Sequence, residues 1–371
     1  MPTLVITANA QDFDLQATLD QARADNNIVG MGVIVMHADG TYDLAVSGER
    51  IKGSGDLIQP DDAWHIGSNT KSMTALLYGR LVEDGLAEWG ATIPELFPDY
   101  ADRIDPAWSN ITIEDLFAHR SGVSQLGGFW FMSKQADTRP LSEQRLETTL
   151  NYLTKPLAKQ VGKYEYNNLG YIVAGTAIEG LLTNEMGRQV TWEEAMDMYV
   201  FSQVPSEGAS MNWGFGPPQT GIEGHRGVLG TSMFMSGVGK DTTADNPAAL
   251  GPAGTVHASL LSHALLSREY LRDESPLIPA NMREKLFAPY PESDTDASYG
   301  MGWGIRQSDH YGTYYSHAGS NTMWYSDIRI LPDDDLVIII NSNQFGDNVF
   351  DAHQNVLVTI LDEYKTRESA D

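Results

Sequence analysis

Trp64-His65-Ile66-Gly67-Ser68-Asn69-Thr70-Lys71 is the stretch from which the fold is read: an apolar turn opens a helical pattern and sets a serine three residues ahead of a lysine. Positions i and i+3 share a helix face, at about 1.5 Å rise and about 100° per residue, so the Lys71 amine can reach the Ser68 hydroxyl. A lysine accepts a serine's proton only while uncharged, a state favoured by desolvation or a neighbouring cation. Unpaired N–H groups at a helix start also favour the negative charge of an acyl oxyanion. Alone, Ser-x-x-Lys is a weak signal, because a serine N-cap followed by a solvated lysine has the same spelling. The rest of the chain decides.

Ahead of this stretch, an amphipathic helix near Asp12–Ala24 precedes two apolar runs, 32–36 and 42–46, that flank Asp39-Gly40 and read as a β-hairpin. Behind it, from Ser68 to about Leu286, the pattern is mostly helical with long Gly/Pro-rich connections. Thr112-x-x-Asp115 and Thr191-x-x-Glu194 look like capping boxes. From Tyr299 on, runs at 302–306, 311–317, 323–330 and 336–341 are short, β-branched or aromatic, and separated by turns, and a helix near Val349–Tyr364 follows. Consecutive strands with short turns form antiparallel sheet. The expected class is α+β: an antiparallel sheet built from 1–72 and 295–371 and flanked by the terminal helices, with a mainly α-helical domain, 73–294, inserted and a cleft between the two. The Gly/Pro/Ser/Asn-rich segment 208–254 lacks periodicity and reads as a covering loop.

Composition narrows the function classes. The chain has 371 residues, 42% of them hydrophobic, and can bury a large core. A net charge of −26 repels nucleic acid and anionic headgroups, so nucleic-acid partners are not expected. Zero cysteines exclude disulfides, thiolate nucleophiles and Cys-type zinc sites. No run approaches 18 apolar residues and the first ten lack a basic segment, so no membrane span and no signal peptide are expected. The compartment stays open: cytoplasmic on this reading, periplasmic or secreted if a leader was trimmed. No metal or other cofactor is expected: His-Glu-x-x-His, P-loop and dinucleotide fingerprints are absent from the sequence, as is Gly-x-Ser-x-Gly. His65, His225 and His257 read as hydrogen-bonded structural residues, and Asp333-Asp334-Asp335 as a solvated turn.

Two further segments can complete a site. Tyr166 and Asn168, in Tyr164-Glu165-Tyr166-Asn167-Asn168 just before the apolar helix 169–182, offer a phenol and an amide on one loop. His317-Ala318-Gly319-Ser320 ends a strand, and its glycine would let a substrate run close to the edge.

In order, Ser68-x-x-Lys71, Tyr166-x-Asn168 and His317-x-Gly319 resemble the serine β-lactamase and penicillin-binding-protein superfamily, in particular its branch of class C β-lactamases, DD-peptidases and family VIII carboxylesterases. His119-Arg120-Ser121-Gly122 and Gly251-Pro252-Ala253-Gly254 are similar to two of its turns, and the resemblance runs from about Trp64 to Asn341. It implies that Ser68 attacks a carbonyl carbon to form an acyl-enzyme while Lys71 and Tyr166 share the proton removed. It places the Ser68 and Ser320 N–H groups around the oxyanion and has Asn168 orient Lys71 and bind substrate, with His317 and Gly319 on the substrate strand. An adjacent Lys71 cation is expected to lower the Tyr166 pKa, the two titrating as a unit. Trp130, Trp324 and Phe129 are candidates for an acyl pocket, although ordinary packing also accounts for each.

Where many β-lactamases carry Lys-Thr-Gly, this chain has His317-Ala318-Gly319, without a fixed positive charge or hydroxyl to hold a substrate carboxylate. A neutral histidine suits neutral esters better, although related DD-peptidases and aminopeptidases also carry histidine there. The expected activity is hydrolysis of small or short-chain esters through an acyl-enzyme, with a β-lactamase, DD-peptidase or D-aminopeptidase as the alternative. The partner is then a small ester, amide or lactam, and the oligomeric state is not readable. A non-catalytic sensor on the same fold has no need of Ser68, Lys71, Tyr166 and Asn168 together.

Overall fold

The computed structural model describes residues 13–219, 221–228, 231–234, 245–291 and 298–368. Helix α1 (Leu15–Asp25) starts at Asp14, whose carboxylate caps the Ala17 N–H at 2.9 Å. Strands β1 (Gly30–His37) and β2 (Tyr42–Gly48) form the hairpin read around Asp39-Gly40. Strand β3 (Ala63–His65) leads into a 3₁₀ turn, Gly67–Asn69, and then α2 (Thr70–Glu83), so Ser68 stands one turn ahead of the α-helix proper.

Helices α3 (Leu141–Leu153) and α4 (Leu169–Met186) pack on each other, and α4 also meets α2. Helix α4 is apolar around most of its circumference because neighbours cover it: twelve of its residues are buried. Arg145 on α3 is buried between Glu179 and Glu193, donating to them at 2.7–3.1 Å, which compensates an otherwise costly buried charge. Strands β4 (Trp213–Phe215) and β5 (Val256–Ser259) follow, then α5 (Leu260–Arg268). Strands β6 (Gly304–Ser308), β7 (Gly312–Ser320), β8 (Tyr325–Leu331) and β9 (Leu336–Ser342) precede α6 (Asp347–Glu368).

The main sheet is antiparallel throughout, in the order β2-β1-β9-β8-β7-β6, so the hairpin near the start of the chain pairs with the strands near its end. Side chains alternate between its faces. Met31, Val33, Val35, Ile338 and Ile340 pack with α1 and α6, whereas Ile34, Met36, Ile328, Ile330, Val337 and Ile339 join the larger core that contains α2, α4 and α5. Every residue of β9 is buried, which explains why its sequence is a continuous apolar run rather than an alternation.

The middle of the chain is less purely helical than its pattern suggests. A second sheet runs β3-β5-β4, and a third joins Gln344–Phe345, His225–Val228 and Thr231–Phe234. These strands span two to four residues, too short to establish a period. Part of the segment 208–254 is therefore sheet and not covering loop; residues 220, 229–230 and 235–244 lie outside the described residues. Asp333 and Asp334 form the expected turn, and Asp335 closes it at φ +52°. Among the described residues no helix is long and apolar enough to cross a membrane.

Candidate active site

From Asp62 to Gly79 every residue is buried except Ser68. Its exposure comes from the fold: the Gly67–Asn69 turn lies between the end of β3 and the start of α2 and rests against β7. That contact requires two glycines. A Cβ at Gly319 would lie 1.9 Å from the Ile66 carbonyl oxygen and 2.7 Å from the Ser68 nitrogen. One at Gly67, which also has φ +53°, would lie 2.3 Å from the Ser320 nitrogen. Gly319 thus admits the nucleophile's own turn, a role the sequence reading assigned to passage of substrate. The Ser68 and Ser320 main chains face each other across this contact.

Lys71 has no exposed surface. Its Nζ lies 3.0 Å from Ser68 Oγ, 2.8 Å from Asn168 Oδ1 and 2.7 Å from the Ala253 carbonyl oxygen. Burial holds the amine well below its ordinary pKa. A neutral amine has two N–H bonds and one lone pair. Asn168 Oδ1 and Ala253 O can only accept, so they take the two hydrogens, and the lone pair is left for the Ser68 O–H. The Ala253 carbonyl is delivered by the Gly251–Gly254 turn, which packs on α4 so closely that a Cβ at Gly175 would lie 2.2 Å from Pro252 Cγ.

Tyr166 hydrogen-bonds Ser68 from the other side and its ring lies 4.9 Å from Lys71 Nζ. The expected lowering of its pKa is not what the structure gives. Burial pushes the phenol well above its ordinary value, and the Ser68 hydrogen bond offsets that only in part. The reason is that burial outweighs the favourable contacts of the phenol, and burial also disfavours the charged form of Lys71, the cation that would otherwise stabilise a phenolate. The loop that carries Tyr166 is shaped by the turn at 119–122. His119, at φ +61°, accepts from the Asn167 N–H at 3.3 Å through Nδ1 and from the Glu165 N–H at 2.8 Å through its carbonyl. Its ring packs 4.4 Å from that of Tyr166, tilted by 46°. Asn168 then precedes α4, whose first turn is capped by Asn167 Oδ1 on the Gly170 N–H at 2.8 Å.

His317 is buried on β7 with both ring nitrogens engaged. Nδ1 lies 2.8 Å from the Ala318 carbonyl, which requires a hydrogen on Nδ1, and Nε2 then accepts from the Tyr299 hydroxyl at 3.0 Å. Burial, with Lys71 nearby, lowers its pKa to about 3. The ring is neutral and fixed. Tyr299 escaped the sequence reading because no spacing links it to a motif. The three histidines read as structural take such partners: His65 pairs with Gly67 N and Asp245, His225 with the Asn343 carbonyl and His257 with the Gly216 carbonyl. Among the described residues no group of His, Cys, Asp and Glu is arranged to hold a metal ion.

Of the aromatic pocket candidates, Trp324 is buried edge-on against Trp64, and Trp130 donates to Thr148 Oγ1 at 3.1 Å; both pack within the protein. Phe129 is 80% exposed.

The Beta-lactamase family model matches residues 15–363, nearly the whole chain. The chain belongs to the beta-lactamase family. It is a member of the serine hydrolase superfamily that contains β-lactamases and penicillin-binding proteins. Penicillin-binding protein 4 of Amycolatopsis lactamdurans is 23% identical over 350 residues, 88% of this chain and 84% of that protein. Two other relatives match in part. An unguisins hydrolase of Aspergillus campestris is 26% identical over 49% of this chain, which spans 34% of that protein's length. Esterase EstB of Burkholderia gladioli is 28% identical over 32% of this chain and 29% of its own. Among solved structures, the D-amino acid amidase of Ochrobactrum anthropi SV3 shares the fold at TM-score 0.72 and 18% identity, over 94% of this chain and 98% of that one.

Proposed function

We propose that the protein hydrolyses small or short-chain carboxylic esters through an acyl-enzyme on Ser68. The observation that carries this reading is the saturation of the Lys71 N–H bonds by Asn168 Oδ1 and the Ala253 carbonyl, which turns the amine's lone pair to Ser68, the one residue from Asp62 to Gly79 that is not fully buried.

In this reading Ser68 Oγ attacks the carbonyl carbon as its proton passes to Lys71 Nζ. Charge on the carbonyl oxygen is met by the Ser68 and Ser320 N–H groups. The departing alkoxide takes the Tyr166 phenolic hydrogen, and Lys71 returns a proton to the phenolate. Water then follows the reverse path to free the acid. Asn168 orients Lys71, while His317 and Gly319 shape the strand beside the acyl carbon.

The choice of ester rests on His317. Locked between Tyr299 and the Ala318 carbonyl and neutral near physiological pH, it offers no positive charge to a substrate carboxylate. Likeness to esterase EstB agrees with this. The match to penicillin-binding protein 4 over most of both chains supports a second reading, action on β-lactams or D-amino-acid peptides and amides.

The test is a panel of nitrophenyl acetate and butyrate, nitrocefin, and D-alanyl peptides and amides on purified protein. An initial burst followed by turnover on the esters, lost in Ser68→Ala with the fold intact, is expected. Hydrolysis of nitrocefin or D-alanyl amides far above that of esters would promote the second reading, and acylation without turnover would mark a sensor.

A further inference from the structure

Three turns build the site, and Asp245 and Asn246 touch all of them. On the nucleophile's side the Gly67 N–H donates to His65 Nδ1 at 3.1 Å, which leaves the imidazole hydrogen on Nε2, 3.0 Å from Asp245 Oδ1. On the side of β7, Asn321 Nδ2 donates to the same Oδ1 at 2.8 Å. Asn321 is itself held, its Oδ1 accepting the Met323 and Trp324 N–H groups, each at 3.1 Å. The Asn246 N–H also donates to Oδ1, at 2.7 Å, and its side chain donates to the Gly254 carbonyl at 2.8 Å, one residue beyond the carbonyl that orients Lys71.

One oxygen atom therefore ties the Gly67–Ser68 turn to the Ser320–Asn321 turn. Asp245 has 8% of its side chain exposed, and its second oxygen is buried without a hydrogen-bond partner among the described residues. Burial pushes the carboxyl up, but attraction to His65 and the bonds from His65, Asn321 and Asn246 more than reverse this, keeping the group anionic. An anion placed there at such a desolvation cost is held by the Asn321 and Asn246 donors and the adjacent His65 imidazole, and holds them in return. The two main chains it joins meet through glycines, so contact limits how near they come, and the bridge through Asp245 acts beside the Asn69 Nδ2 to Ser326 Oγ bond, 2.8 Å, in keeping them from parting.

We propose that Asp245 is a positioning residue for the oxyanion site, its Oδ1 setting the spacing between the Ser68 and Ser320 N–H groups. The proposal rests on the acyl-enzyme reading above. It predicts a loss confined to the transition state, where the developing oxyanion needs both donors at once.

The experiment compares a nitrophenyl ester with its thionoester, whose sulfur is a poorer acceptor and sits on a longer bond, in the full chain and in Asp245→Asn and Asn321→Ala. With the ester, kcat should fall about 10²-fold in Asp245→Asn while KM stays within about twofold. The ester-to-thionoester ratio should collapse in both variants, because a misaligned donor pair no longer favours oxygen. Folded variants that lose both rates equally, with the ratio unchanged, overturn the proposal while leaving the acyl-enzyme reading standing. Asn321→Ala removes one rim donor and gives the same readout if Asp245→Asn does not fold. A folded wild-type protein inert to both esters overturns both readings together.

Discussion

Lys71 Nζ donates to the Ala253 carbonyl at 2.7 Å, a bond between the first turn of α2 and a main-chain oxygen 182 residues away. With Asn168 Oδ1 it uses both hydrogens of a neutral amine and so determines where the lone pair goes. Protonation would supply a third hydrogen and remove the base. Since burial depresses the Lys71 pKa, the neutral form extends to pH values well below the ordinary lysine range.

Activity should therefore fall as pH drops through a single ionisation below 10.5 and level off above it. A pH–kcat/KM profile on a nitrophenyl ester checks this. Lys71→Ala should lower the plateau by about 10²–10⁴ and erase that acid limb.

Tyr166 keeps its proton because burial raises its pKa, so its contribution is expected as an acid to the leaving group. Tyr166→Phe should then hurt alkyl esters more, by about 10²–10⁴, than nitrophenyl esters, whose leaving group needs no proton. Equal losses on both substrate types would contradict this.

Gly319→Ala should be the most damaging single methyl in the site. The new Cβ meets the Ile66 carbonyl and the Ser68 nitrogen, so the nucleophile's turn must retreat from β7. A drop in kcat of about 10²–10³, the usual cost of losing an oxyanion donor, is expected in a protein that still folds. Circular dichroism alongside steady-state kinetics separates the two effects.

Acid should destabilise the fold well before carboxylates titrate. His263, His317 and His353 each have a pKa lowered from 6.5 to about 3 by burial, so between these values the unfolded chain binds protons that the folded one refuses. Stability consequently falls as pH decreases from 6.5, by about 1.4 kcal/mol per pH unit for each histidine once it is protonated only in the unfolded state. Urea midpoints at pH 7 and pH 5.5 should differ accordingly, and replacing His263 with a residue that does not titrate should flatten the slope.

Much of this was legible in the sequence because it was local. The Ser68–Lys71 spacing, the Asp39-Gly40 hairpin and the short β-branched or aromatic runs of β7 to β9 between their turns are each set by backbone geometry within a few residues. What escaped was non-local or main-chain. No side chain announces the Ala253 carbonyl, and nothing in the spacing of Tyr299, Asp245 or Asn321 connects them to the motifs they support. The sign of the Tyr166 shift escaped for the same reason: it is decided by burial, which the whole fold contributes.

Pairing β1 with β9 also orders events during synthesis. A nascent chain released from the ribosome as far as α4 already contains the nucleophile, its amine and the phenol, yet lacks β7 and the strands that would seat it. Ser68 cannot be armed early. Acylating activity should arise only after the strands through Ser342 have emerged.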